Sequence, residues 1–137
     1  MTTAEGVEVL LETPYARLLY DRSKGQVRLI RNREVMPADV LDAELDRLVV
    51  AVEPLPVGSL GLIVDVRAPV GRNDDAFEDA IRVLRQRFMA RFRRVAVLVR
   101  TRIGQLQGER FVREDGSQAR VRITDDLEAA VAFVAGE

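Results

Sequence analysis

The segment VDVRAPVGRNDDAFEDA, residues 64–80, combines residue types that often carry chemistry in α/β proteins. Asp65 follows the apolar run LGLIV, and a glycine-containing loop leads from it to Asp74 and Asp75 at the start of a helical pattern. Open α/β sheets bind their ligands at the carboxyl ends of parallel strands. The segment is therefore a candidate catalytic loop, phosphate-binding loop or recognition surface.

The residue types that the chain lacks narrow its chemistry. It contains no cysteine and no histidine. Thiolate nucleophiles, disulfides, thiolate metal sites and imidazole bases are therefore excluded, together with the Ser-His and Cys-His triads. Carboxylates alone can still bind Mg²⁺ or Ca²⁺. We predict no catalytic residue, no metal site and no cofactor.

The spacing of glycines and charged residues argues against two kinds of phosphate chemistry. A P-loop ends in Gly-Lys-Ser/Thr, which GSLGLIV and GRNDD lack, and the single lysine, Lys24, falls in a predicted hairpin turn. A phospho-acceptor aspartate with Mg²⁺, as in receiver domains, needs further acids and a lysine at other strand ends. Phosphatases of the haloacid-dehalogenase type carry a second aspartate two residues after the first, where this chain has Arg67. Phosphoryl transfer at Asp65 stays an alternative that lacks several of its parts.

Two loops at predicted strand ends remain as a recognition surface. The first contains Asp65, Arg67, Gly71, Arg72, Asn73, Asp74 and Asp75, and the second contains Arg100, Thr101, Arg102 and Gly104. If their strands are neighbours, both loops lie on the same edge of the sheet. The acids also have structural explanations: Asp65 can pair with Arg67 or Arg72, and Asp74 and Asp75 complement the positive end of a helix dipole.

Hydrophobic periodicity places these loops in one α/β domain spanning residues 1–137. The strand GVEVLLE, with Val7, Val9 and Leu11 on one side, precedes a hairpin, ARLLYDRSKGQVRLI, that turns at Ser23-Lys24-Gly25. Helix, strand, helix, strand, helix, strand and helix then alternate. This order predicts a mixed, largely parallel sheet after an N-terminal hairpin, with about four helices and right-handed crossovers.

Helical patterns also predict shared faces and caps. In the third helix, Ile103, Leu106, Arg110 and Phe111 fall roughly on one face. Thr124 is the predicted N-cap of the last helix.

The overall charge gives no reason to expect a nucleic-acid or acidic membrane partner. The net charge is −1 and only 5% of residues are aromatic, so basic patches with stacking platforms are not indicated. The twenty arginines beside one lysine could suit bidentate binding of anions, although codon bias explains them more simply. Arginines of the second helix and acids of the first predict ion pairs within the chain or between subunits. No apolar run could span a membrane and no signal-peptide layout is present, so we expect a cytoplasmic protein.

The element order, with LIVDVRAPVGRNDDAFEDA and RVAVLVRTRIGQLQ, resembles the STAS-like, or SpoIIAA-like, family from about Tyr15 onward. This is the fold of bacterial anti-sigma-factor antagonists and of the cytoplasmic domains of sulfate transporters, and the chain looks like its uncharacterised, free-standing bacterial branch. In the antagonists, a partner kinase phosphorylates a serine in an Asp-Ser-Ser-Gly helix start and so switches binding. The corresponding residues here are Asp74-Asp75-Ala76-Phe77, without the serine. The resemblance therefore implies a fixed negative charge and constitutive partner binding.

Two functions are compatible with these patterns. The favoured one is a non-catalytic protein-interaction module in bacterial regulation or signalling, which binds a regulatory protein through loops 65–75 and 100–104; a homodimer is compatible with it. The alternative is a small-molecule or lipid-binding domain, since related layered sheets hold apolar pockets in lipid transfer proteins. Four phenylalanines could line such a pocket, although core packing is their usual role: Phe88, Phe92, Phe111 and Phe133.

Overall fold

The computed structural model describes residues 6–34, 36–68 and 75–136. Within these residues the chain forms six strands and four α-helices in the predicted order. The strands are β1 (Val7–Glu12), β2 (Ala16–Asp21), β3 (Gln26–Arg31), β4 (Gly61–Asp65), β5 (Arg94–Leu98) and β6 (Val121–Thr124). The helices are α1 (Leu41–Val52), α2 (Asp75–Arg87), α3 (Arg102–Asp115) and α4 (Leu127–Val134).

All six strands form one sheet, in which the spatial order equals the chain order. The first three strands are antiparallel neighbours, and β3, β4, β5 and β6 are parallel to one another. Each connection between parallel strands contains one helix, α1, α2 or α3. The predicted mixed sheet with an N-terminal hairpin is therefore confirmed, and the first strand belongs to this sheet.

The central strand β4 is buried on both faces, as its continuous apolar sequence predicts. Leu62 and Val64 belong to the larger core, to which α1 contributes Leu45, and α2 and α3 pack against the same core. Ile63 belongs to a second, smaller core with Ala130 of α4. Helices α1, α2 and α3 thus cover one face of the sheet, because right-handed crossovers in one direction place their helices on one side. Helix α4 covers the other face.

Strand β1 departs from simple alternation. Val9 lies opposite Leu19 of β2, whereas Leu11 lies opposite Leu18, so a bulge between them absorbs one residue. Leu18 belongs to the larger core, and Leu11 packs against it. Because successive residues of a strand face opposite sides, the extra residue moves Leu11 to the face opposite that of Val9. The prediction that Val7, Val9 and Leu11 share one side is therefore wrong for Leu11.

Helix α3 approaches the sheet most closely at a glycine, Gly108. A Cβ atom at Gly108 would lie 3.0 Å from side-chain atoms of Ile123 in β6, so the missing side chain permits this close approach. Ile103 and Leu106 are instead 71% and 53% exposed. Periodicity placed these two residues on one face with Arg110 and Phe111, but it gives no weight to a glycine contact and so did not show which part of the helix meets the sheet.

Helix α4 begins at a different cap from the predicted one. The side chain of Asp126 accepts a hydrogen bond from the backbone N–H of Glu128 at 3.0 Å, while the Thr124 hydroxyl accepts one from the N–H of Asp126. Threonine and aspartate both favour the N-cap position. In the run Thr124-Asp125-Asp126, the second aspartate occupies it. At the other end, Arg93 donates to the carbonyl of Val134 at 2.7 Å and satisfies one of the free carbonyl groups of the helix terminus.

Candidate functional site at the carboxyl edge of the sheet

Asp65 ends β4 at the carboxyl edge of the sheet, opposite Leu98 of β5. Its carboxylate accepts hydrogen bonds from Arg67, at 2.9 Å from Nε, 2.7 Å from Nη2 and 3.1 Å from the backbone nitrogen. Asp65 is buried, while the Arg67 side chain is 43% exposed. Of the two predicted partners of Asp65, the structure therefore supplies Arg67, two residues along the chain.

The pairing fixes the charge state of Asp65. Burial acts to raise the pKa of this carboxyl, but the hydrogen bonds from Arg67 and the charges of Arg67 and Arg28 outweigh burial, so the pKa lies below its ordinary value. The same hydrogen bonding raises the pKa of Arg67. Both carboxylate oxygens accept hydrogen bonds from Arg67, so Asp65 orders the first residues of its loop.

The second predicted segment starts where β5 ends. The Thr101 hydroxyl accepts a hydrogen bond from the N–H of Gly104 at 3.0 Å and so caps α3. Arg100 and Arg102, on either side of the cap, are exposed. Arg67, Arg100, Thr101 and Gly104 line the same cavity. The two segments therefore meet at one edge, as expected for neighbouring parallel strands.

Exposed apolar side chains adjoin this edge. Ile103 and Leu106 lie in the first two turns of α3, directly after the exposed arginines. We call the following six residues the rim surface: Arg67, Arg100, Thr101, Arg102, Ile103 and Leu106. Among the described residues, one other large apolar side chain, that of Val50, is exposed to a similar degree, and it lies on α1.

Part of the first predicted segment lies outside the residues that the structure describes. Gly71, Arg72, Asn73 and Asp74 lie outside the described residues. Asp75 is the first residue of α2, and its side chain lies outside the description as well. The predicted interaction of Asp74 and Asp75 with the helix dipole and the implied fixed charge at this position therefore stay predictions.

A cavity of about 540 Å³ lies beneath the rim surface, between α2, α3 and the sheet. Valines and one isoleucine from three neighbouring strands and their carboxyl ends form its apolar floor: Val64, Val66, Val97, Val99, Val121 and Ile123. Ile81 and Leu84 of α2 form one wall, and Phe111 and Val112 of α3 form the other. Its volume falls within the range of about 300–1,000 Å³ that is typical of small-molecule sites.

The phenylalanines take different places from those of the pocket hypothesis. Of the four, Phe111 lines the cavity. Phe88 and Phe92 are buried in the larger core and contact each other edge to face, with ring centroids 5.3 Å apart. Phe133 packs on the α4 side of the sheet, under the guanidinium groups of Arg94 and Arg122. Core packing, the role favoured from the sequence, is therefore confirmed for Phe88, Phe92 and Phe133, while aliphatic strand residues and Phe111 line the cavity.

An ion pair links the two helices that flank the cavity. Arg85 of α2 donates to Asp115 of α3, at 2.6 Å from Nε and 3.2 Å from Nη2, and its guanidinium lies 4.4 Å from the centre of the Phe111 ring. This pair was not predicted from the sequence, because the arginines of the second helix were matched with the acids of the first helix. A signal was present, since Arg85 lies four residues after Ile81 and four before Met89, within the apolar stripe of the helix. The predicted ion pairing between α1 and α2 is observed at Asp46 and Arg87, which are 2.9 Å apart.

Two comparisons with known proteins give no match: no protein-family model and no curated protein matches the chain. Among solved structures, the chain is similar to the crystal structure of an uncharacterized protein from the DUF3478 family with a SpoIIAA-like fold from Shewanella loihica PV-4. The match covers 98% of each chain, with a TM-score of 0.50 and 11% sequence identity. The chain has a SpoIIAA-like fold. At this identity the likeness shows the fold alone, and function must be argued from the site.

In this SpoIIAA-like chain the described residues present neither a metal-binding cluster nor a membrane-spanning element. Among them, no three carboxylates lie close enough together to hold a metal ion. No helix within the described ranges is both long and apolar enough to cross a membrane. The chemistry that the described site displays is therefore that of arginines, a capped helix start, exposed apolar side chains and an apolar cavity.

Proposed function

We propose that this chain is a non-catalytic interaction module in bacterial regulation or signalling, which binds a regulatory protein through segments 65–75 and 100–104. The observation that carries the proposal is the rim surface, where Ile103 and Leu106 are exposed beside Arg67, Arg100 and Arg102. Arginines around an exposed apolar contact are typical of residues that contribute most to protein interfaces. By charge complementarity, the partner presents acidic side chains around an apolar contact.

The geometry of Asp65 supports a non-catalytic role. A phospho-acceptor or nucleophilic carboxylate needs an oxygen that can reach the substrate, but both oxygens of Asp65 accept from Arg67. The single lysine, Lys24, lies in the turn before β3, and Gln26 at the start of β3 pairs with Gly61 at the start of β4. Lys24 therefore lies at the opposite edge of the sheet from Asp65 and cannot complete a receiver-type site.

Affinity capture with matched variants tests the proposal. We expect the wild-type chain to retain a partner protein from a bacterial lysate. The double variant Ile103→Glu, Leu106→Glu is expected to lose it, because like charges would face the acidic partner and the apolar contact would be removed. Retention is also expected to fall as salt is raised, since salt screens exposed charge pairs. Mass spectrometry of the retained proteins is the measurement.

The control is Val50→Glu, which places the same charge on an equally exposed apolar position of α1. It is expected to retain the same partner as the wild-type chain. The proposal would be contradicted if the control lost as much of the partner protein as the double variant does. It would also be contradicted if both variants retained the partner as well as the wild-type chain does. Light scattering separates the case in which the partner is a second copy of this chain.

A further inference from the structure

The cavity beneath the rim surface has a charged end that the proposed partner binding does not use. This end lies toward the amino edge of the parallel strands, where Arg85, Asp115 and Arg120 line it around the first residue of β6, Val121. Between this end and the rim residues Arg67 and Arg100, apolar side chains form the floor and most of the two helix walls. The cavity thus has an elongated apolar body with two arginines and one carboxylate at its inner end.

Arg85 is the most deeply placed of these charged groups. Its side chain is 13% exposed, and its Nε and Nη2 atoms are bound by Asp115. Its Nη1 atom is buried and has no hydrogen-bond partner among the described residues. Buried donors are almost always paired in native proteins, so an unpaired guanidinium nitrogen at a cavity wall indicates an acceptor that the ligand would supply.

Arg120 provides a second positive charge at the same end. Its Nη1 atom donates to the backbone carbonyl oxygens of Met89, at 3.2 Å, and Phe92, at 3.1 Å. Within the described part of the chain no carboxylate pairs with Arg120, so its charge is held in place by backbone dipoles alone. The two positive charges of Arg85 and Arg120 exceed the negative charge of Asp115 by one. This end of the cavity can therefore balance a singly charged anion.

We infer that the cavity binds an amphipathic carboxylate, with the carboxylate on Arg85 and Arg120 and an unbranched apolar body along the floor of Val64, Val97 and Val99. Guanidinium groups bind carboxylates through charge-assisted hydrogen bonds, and the apolar floor removes the hydrocarbon body from water. A neutral molecule of the same length gains only the removal of its hydrocarbon body from water, without the charge-assisted hydrogen bonds. The inferred carboxylate site lies at the end of the cavity away from the rim residues Arg67, Arg100 and Thr101, and neither Ile103 nor Leu106 lines the cavity.

An NMR titration of the purified chain with octanoate tests this inference, with octan-1-ol as the neutral probe of equal chain length. Octanoate is expected to bind saturably and to shift the signals of Val97, Val99 and Arg85. Octan-1-ol is expected to bind about tenfold or more weakly, because it cannot form the charge-assisted hydrogen bonds. Arg85→Met is expected to reduce octanoate binding to the level of octan-1-ol.

Two further variants separate binding from folding. Arg82→Met removes an exposed arginine one turn away on α2, which pairs with Asp79 and does not line the cavity, and it is expected to leave octanoate binding unchanged. Val97→Phe fills the cavity without altering its charges and is expected to abolish binding of both probes in a chain that still melts cooperatively. Unsaturable octanoate binding, equal loss in the two arginine variants, or full binding by Val97→Phe would each overturn the inference. None of these results depends on the rim partner.

Discussion

At the scale of single residues, the Asp65–Arg67 pair shows what sequence patterns can and cannot assign. An aspartate at the end of a buried strand predicts either chemistry or a structural pairing, and the sequence named Arg67 among the candidate partners. It could not decide between these roles, because the decision rests on which oxygens are engaged. Three hydrogen bonds from Arg67, at 2.7–3.1 Å, show that the carboxylate is committed within the chain.

This pairing makes a prediction about stability and pH. The pKa of Asp65 is lower in the folded chain than in the unfolded chain, so its contribution is present above the unfolded value of about 3.9 and is lost as the pH falls through the folded value. Asp65→Asn is expected to lower the free energy of unfolding at pH 7 by about 1–2 kcal/mol, a figure reduced for the exposure of Arg67. Urea denaturation between pH 7 and pH 2.5 is the measurement.

The control for Asp65→Asn is Asp79→Asn, which breaks the exposed pair with Arg82. This substitution is expected to lower the free energy of unfolding by less than about 0.5 kcal/mol at pH 7. The difference between wild-type and Asp65→Asn should shrink toward zero below the folded pKa. A constant difference across the whole pH range would show that the stability of the pair does not come from the ionised carboxylate.

At the scale of elements, the identity and order of strands and helices followed from periodicity, whereas contacts that depend on glycine did not. The continuous apolar run of β4 predicted a strand buried on both faces, and the hairpin turn at Ser23-Lys24-Gly25 was placed correctly. The sequence did not predict the bulge in β1 or the packing of α3 through Gly108. Both depend on tertiary contacts, which a pattern of apolar residues along one element does not encode.

Gly61 is a second glycine contact and gives a prediction for α4. A Cβ atom at this position would lie 2.7 Å from Cβ of Val134 and 2.8 Å from its carbonyl oxygen, closer than real atoms approach. Gly61→Ala is therefore expected to displace the end of α4 and to lower the free energy of unfolding by about 1–3 kcal/mol. Urea denaturation followed by far-UV circular dichroism measures this.

Gly58→Ala is the matched control, because a Cβ atom at Gly58 has no neighbour within 4 Å. It is expected to change the free energy of unfolding by no more than about 0.5 kcal/mol. If Gly61→Ala were equally harmless, the close packing of α4 against β4 would be wrong.

At the scale of the whole molecule, the sequence predicted the mixed sheet and the SpoIIAA-like fold. It did not predict the cavity, because a cavity arises from the distance between α2 and α3. The Arg85–Asp115 bridge and the close approach of α3 at Gly108 flank the cavity, and both are contacts between elements that the periodicity of one element does not encode. The alternative of an apolar pocket named phenylalanines as possible lining residues, whereas valines and one isoleucine form the floor of the cavity.

The central claim is that a partner protein contacts the rim surface at the carboxyl edge of the sheet. Photo-crosslinking from a benzophenone side chain tests it most directly, with the label at position 103 in one variant and at position 50 in the other. Both positions are exposed, but position 50 lies near the end of α1 that leads to the amino end of β4. The proposal predicts that one partner protein crosslinks from position 103 and not from position 50. The same protein crosslinking equally from both positions, or from position 50 alone, would contradict it.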